Sequence, residues 1–113
     1  MNLINAKDTS DDYYDSIRYY FKDVVSAQDL QQLLAFLQMQ GYEFDKYGIY
    51  YEHDHTEMPV SESCYDIESL LFLVNQKGLS NISELEMYGN VSGTFFPQKG
   101  IVNIFASKKK MTK

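Results

Sequence analysis

The 113-residue sequence predicts a single α+β domain, an antiparallel sheet packed by helices in the order α-α-β(β)-α-β-β-β. Three observations carry this. Leu30, Leu33, Leu34 and Leu37 repeat at i, i+3, i+4, i+7, which marks one buried helix face. Tyr47, Ile49 and Tyr51 alternate with Gly48, Tyr50 and Glu52, the period of a half-buried strand. Leu85 and Met87 alternate in the same way with Glu84, Glu86 and Tyr88. Helices grouped early and strands grouped late favour α+β over a doubly wound sheet.

The first helix is expected at about 11–24. Ser10 or Asp11 can cap it, and Tyr13, Ile17, Tyr20, Phe21 and Val24 fall at helical spacing. The second, at about 27–40, opens on Ser26-Ala27-Gln28-Asp29, a capping box with Asp in place of Glu, and Gly41 closes it. Residues 42–55 are strand-like, either one strand or a hairpin turning at 45–48. A polar loop containing Pro59 follows. The third helix is expected at about 64–77, starting from a second box, Ser63-Cys64-Tyr65-Asp66, and ending at Gly78. Strands occupy 84–106, with turns at Gly89-Asn90 or Ser92-Gly93 and another at 96–100 around Pro97. Residues 101–106 are apolar on both faces except at Asn103, as in a central strand covered on each side or a strand in a tightly packed small sheet. Leu33, Leu34, Leu37, Leu70, Leu71, Val74, Ile101 and Ile104 should be among the most buried residues. The domain spans 1–107, and 108–113 reads as a basic frayed tail.

The composition, 44% hydrophobic and 15% aromatic, is too apolar for a disordered acidic tail. The only cysteine, Cys64, has no intrachain disulfide partner, which suits a reducing compartment. No basic region followed by an apolar one opens the chain. Its longest apolar run, 70–74, is far shorter than the ~20 residues of a membrane span. A cytoplasmic protein without membrane association is expected.

Candidate chemistry is sparse. His53 and His55 stand two apart on the strand-like segment, so both imidazoles can meet one divalent ion, with Glu57 as third ligand. The plainer reading is a polar strand end, and no metal or other cofactor is expected. Cys64 at a helix start has the setting of a lowered thiol pKa and could take His53 or His55 as base, but no oxyanion-stabilising feature accompanies it. The six glycines are scattered over caps and turns, so no phosphate-binding loop is present. A non-enzymatic role follows.

Charge is the strongest functional signal. Residues 1–68 hold 14 of the 16 acids against four bases, while 69–113 hold two acids and six lysines. Nine of the ten tyrosines lie in the acidic part. Of these, Tyr13, Tyr20, Tyr47 and Tyr51 lie on predicted apolar faces, whereas Tyr14, Tyr19, Tyr42, Tyr50 and Tyr65 are expected outside. Carboxylates among exposed phenols suit a basic protein and repel a phosphate backbone. The expected contact set is Asp12, Tyr14, Asp15, Glu43, Asp45, Tyr50, Glu52 and Asp54. In this general character the chain resembles small acidic proteins that bind and block a basic partner, such as toxin-neutralising immunity proteins and phage or mobile-element inhibitors that imitate nucleic-acid charge. That likeness implies a basic partner, a nuclease or another nucleic-acid-binding protein. Two other readings are a small metal-dependent enzyme or sensor built on His53 and His55, and a structural subunit whose Tyr-rich face is a homodimer contact.

Overall fold

A computed structural model describes residues 2–51 and 61–109. Its elements are β1 (Asn2–Asp8), β2 (Tyr14–Lys22), α1 (Ala27–Met39), β3 (Phe44–Tyr51), β4 (Ser61–Cys64), α2 (Ile67–Lys77), β5 (Ile82–Gly89), β6 (Val91–Phe96) and β7 (Ile101–Lys109). The strands form one antiparallel sheet in the order β1-β2-β7-β6-β5-β3-β4. The fold is α+β, with two helices among the described residues.

One face of the sheet carries the core. Cross-strand neighbours share a face, so the pairs Tyr19↔Ile104, Ile104↔Gly93, Gly93↔Met87 and Met87↔Tyr47 define a row beneath the helices. Leu30, Leu33, Leu34 and Leu37 of α1 and Leu70 and Val74 of α2 close over it in a single cluster. Gly93 sits where this layer is tightest: a Cβ there would lie 2.5 Å from Ile104 Cδ1, so the missing side chain admits the isoleucine.

Helix α1 matches its sequence signature. The Ser26 hydroxyl accepts a hydrogen bond from Asp29 N, and Asp29 Oδ2 accepts one in return from Val25 N, one residue before the expected partner of a capping box. These bonds hold the Asp29 carboxyl below its usual pKa, the Val25 amide being the main cause. Helix α2 starts later than expected. Its cap is Asp66, whose carboxylate accepts from Ser69 N, because 61–64 extend as β4 against β3 and only then can the chain turn into a helix.

The expected first helix is a strand. Tyr19-Tyr20-Phe21 satisfies both periods, and pairing with β1 and β7 selects the two-residue one: Tyr19 and Phe21 are buried while Arg18, Tyr20 and Lys22 point outward. Asp11 serves the β1–β2 turn instead of a helix, with Oδ1 accepting from Tyr13 N and Tyr14 N. The tyrosine expectations shift accordingly. Tyr19 is buried and Tyr42 half-buried, whereas Tyr13 is 73% exposed and Tyr20 37%. Residues 44–51 form one strand rather than a hairpin, and Ser92-Gly93 lies inside β6, the turn falling at Gly89-Asn90. The 96–100 turn is present, with Gly100 at φ 67° donating to Phe96 O.

Leu33, Leu34, Leu37, Leu70, Val74 and Ile104 are buried as expected; Leu71 and Ile101 are only half-buried. Ile101 pairs with Phe96 on the face opposite the helices, which no element covers among the described residues. The central strand is thus covered on one side only. Strand β7 also runs through Lys109, pairing Lys108 with Asp15 and Lys109 with Tyr14, inside the segment expected to fray.

Candidate functional site

Five of the residues expected to meet a partner gather at one end of the sheet. Asp12, Tyr14 and Asp15 stand at the tip of the β1–β2 hairpin and the start of β2, and Glu43 and Asp45 where α1 feeds β3. All five are exposed. The two segments flank a recess of about 760 Å³ lined by Asp8, Asp15, Ile17, Tyr42, Asn90 and Ser107, among others. Asn90 fixes one wall. Its Oδ1 accepts from Glu43 N at 2.8 Å, its Nδ2 donates to Gly41 O at 3.1 Å, and its own N donates to Glu43 O at 3.2 Å. The other wall is fastened by Ser16, whose N donates to Ser10 Oγ and whose Oγ donates to Thr9 O.

No family model, curated protein or solved structure matches this chain.

Tyr50 lies elsewhere, on the helix-free face near the far end of β3, beside an acid–phenol cluster on β5. Glu86 accepts hydrogen bonds from the hydroxyls of Tyr88 and Tyr50, the latter at 3.4 Å. The bond to Glu86 pushes the Tyr88 phenol up to about 12, and the Glu86 charge raises that of Tyr50. Glu52 and Asp54 lie outside the described residues, as do His53, His55 and Glu57, the metal-ligand candidates. No group of three or more potential metal ligands occurs among the described residues.

Cys64 is not at a helix start. It is the last residue of β4, buried opposite Tyr47, and burial pushes its thiol up rather than down. A thiolate nucleophile is disfavoured in that setting.

Two features of the surface escape a sequence reading. The acidic and basic parts of the chain are not separate in space, since the lysine-bearing end of the β7 backbone pairs with the start of β2, which carries Asp15. Glu86 and Tyr88, outside the Tyr-rich part of the sequence, complete a cluster with Tyr50, which lies 36 positions before Glu86. The alternation Glu84, Glu86, Tyr88 already put all three on one strand face, which was the available signal.

The phenol shifts give a direct check. Tyr47 and Tyr51, both chiefly through burial, join Tyr88 at about 12. A phenol whose folded pKa exceeds its unfolded value of about 10 stabilises the fold fully below pH 10, and that stabilisation is lost as pH rises through about 12. Phenolate absorbance should therefore show these three titrating last, with unfolding setting in across the same window. In Glu86→Gln, Tyr88 should titrate earlier while Tyr47 and Tyr51 stay late.

Proposed function

We propose that this protein is a non-enzymatic binder that docks on a basic protein and blocks it, with the acidic end of the sheet as its contact surface. The observation that supports the reading most is that Asp12, Asp15, Glu43 and Asp45 share one end of the sheet with exposed Tyr14, Asp15 lining a recess there, although the two segments are about 30 residues apart in sequence. The partner is a nuclease or another nucleic-acid-binding protein. Such a protein must present a basic cleft to phosphates, and a carboxylate-rich end competes for that cleft.

Charge steers the encounter and an aromatic anchor holds the complex. Tyr14, 45% exposed, is that anchor: its ring offers contact area at low entropic cost. The experiment is capture of the partner from its native cell, followed by rate measurements at two salt concentrations. Association should slow by roughly tenfold or more between low and physiological salt. Reversing Asp12, Glu43 and Asp45 together should slow it similarly at low salt, with the melting temperature unchanged. Tyr14→Ala should chiefly speed dissociation. An association rate indifferent to salt and to the three reversals rules the reading out, as does a contact site mapped away from this end of the sheet.

A further inference from the structure

The helix-free face of the sheet is built as a shallow groove of about 540 Å³. Its floor is β7 and β6, lined by Asn103, Thr94 and Ser92. One wall is β2, which presents Arg18, Tyr20 and Lys22. The other is β5, which presents Glu84, Glu86 and Tyr88. The first wall carries two positive charges and the second two negative ones, at the same distance from the line between β6 and β7.

We propose that this face is a homodimer interface, with a second copy of the chain as its occupant. A twofold axis in the interface plane, running along the strands over the β6–β7 line, exchanges the two walls. It lays β2 of one copy on β5 of the other, as an isologous contact requires. The register then sets the pairs. Arg18, Phe105, Ser92 and Tyr88 share one cross-strand row, and Tyr20, Asn103, Thr94 and Glu86 share the next. Lys22 and Glu84 fall in the third row, with Ile101 and Phe96 between them. Exchange therefore sets Lys22 over Glu84, the Tyr20 hydroxyl over the Glu86 carboxylate, and the Arg18 guanidinium over the Tyr88 ring. On the floor, Phe105 meets Ser92, Asn103 meets Thr94, and Ile101 meets Phe96. Across these four strands all three rows are complementary and each pair occurs twice; at the outer edge the first row also brings Lys7 of β1 over Lys46 of β3. An axis running across the strands would instead stack like charges, so the charge pattern selects one arrangement.

The residues suit this use. Tyr20 and Tyr88 are 37% and 43% exposed, and Arg18 is already stacked on Phe105 with its guanidinium carbon 4.7 Å from the ring centre. Rings held over a polar floor give contact area that needs little further ordering. The six strands that overlap under this axis, about 4.8 Å apart and roughly seven residues long, give a face of roughly 600 Å², below the ~800 Å² per partner of a standard interface, which suits a dimer that dissociates on dilution. Sheets in face-to-face contact pack about 10 Å apart at about −30°, which three short rows accommodate. The acidic end stays outside this contact, so the dimer would present two copies of it.

The test is the mass of the full chain in solution from low to several hundred micromolar, by sedimentation equilibrium. The expected result is a species of twice 13.2 kDa that dissociates on dilution. Lys22→Glu and Glu84→Lys should each weaken the dimer by roughly tenfold or more, because each pair occurs twice. The double variant K22E/E84K should restore it. Within one chain these residues lie on strands three places apart in the sheet, so restoration can come only from contact between copies. Thr94→Arg, which raises a bulky charge from the floor, should give a folded monomer, checked by an unchanged circular dichroism spectrum. A mass of 13.2 kDa at every concentration would overturn the proposal. So would a dimer that T94R and both single reversals leave intact, which would place the contact elsewhere.

Discussion

Phe95→Ala is expected to lower the unfolding free energy by about 3–5 kcal/mol. Phe95 is fully buried on β6, between Leu85 of β5 and Val102 of β7, in the layer that the helices cover. Removing the ring takes away its transfer free energy and leaves a cavity that two hydrogen-bonded neighbouring strands cannot close. Its sequence neighbours supply the control. Phe96 and Ile101 pair on the opposite face and are half-buried, so Ile101→Ala should cost about 1 kcal/mol or less in the monomer. Urea unfolding of Phe95→Ala and Ile101→Ala, both carrying Thr94→Arg to exclude association, measures the difference. Equal losses would mean that both faces of the sheet are covered.

That contrast also shows what the sequence could not disclose. The run Ile101-Val102-Asn103-Ile104-Phe105-Ala106 reads as a strand covered on both sides, because the composition of a strand does not say which face meets a helix. The stripe of α1 was legible because four leucines at helical spacing, a Ser26 cap and Gly41 all demand the same structure. Strand β2 was not. Tyr13, Ile17, Tyr20, Phe21 and Val24 fit a helix as well as Tyr19 and Phe21 fit a strand, and the choice was made by β7, some 80 residues away. Strand β1, with the sequence NLINAKD, carries little period of its own and is held at the edge by β2. The residues expected to meet a partner gather at one end because β2 and β3 both start there, and Asn90, from the turn after β5, ties down Glu43. Such a contact, 47 positions apart, leaves no local trace.

Gly89→Ala tests that tie most severely, with an expected loss of roughly 3 kcal/mol or more, the upper part of the range for forcing bulk into a packed site. A Cβ on Gly89 would lie 2.0 Å from the carbonyl oxygen of Glu43, 2.8 Å from Phe44 Cα and 2.9 Å from Glu43 C. All three are backbone atoms, so no rotamer change relieves the overlap. The start of β3 must move off β5, and movement there strains the bonds that Asn90 makes to Glu43 and Gly41. Asn90→Ala separates the two effects. It removes the side-chain bonds but keeps the close approach of the strands, so it should cost only about 1–2 kcal/mol. The functional consequence follows from position. Glu43 and Asp45 ride on the displaced segment, while Asp12 and Tyr14 on the hairpin do not. Gly89→Ala should therefore weaken partner association in proportion to the share carried by Glu43 and Asp45, and reversing those two acids should add little in its background. Chemical denaturation gives the stability term, and association rates of Gly89→Ala with and without the two reversals give the functional one. Full additivity of the reversals in the Gly89→Ala background would show that the start of β3 keeps its place, and that the glycine is not what positions this wall of the site.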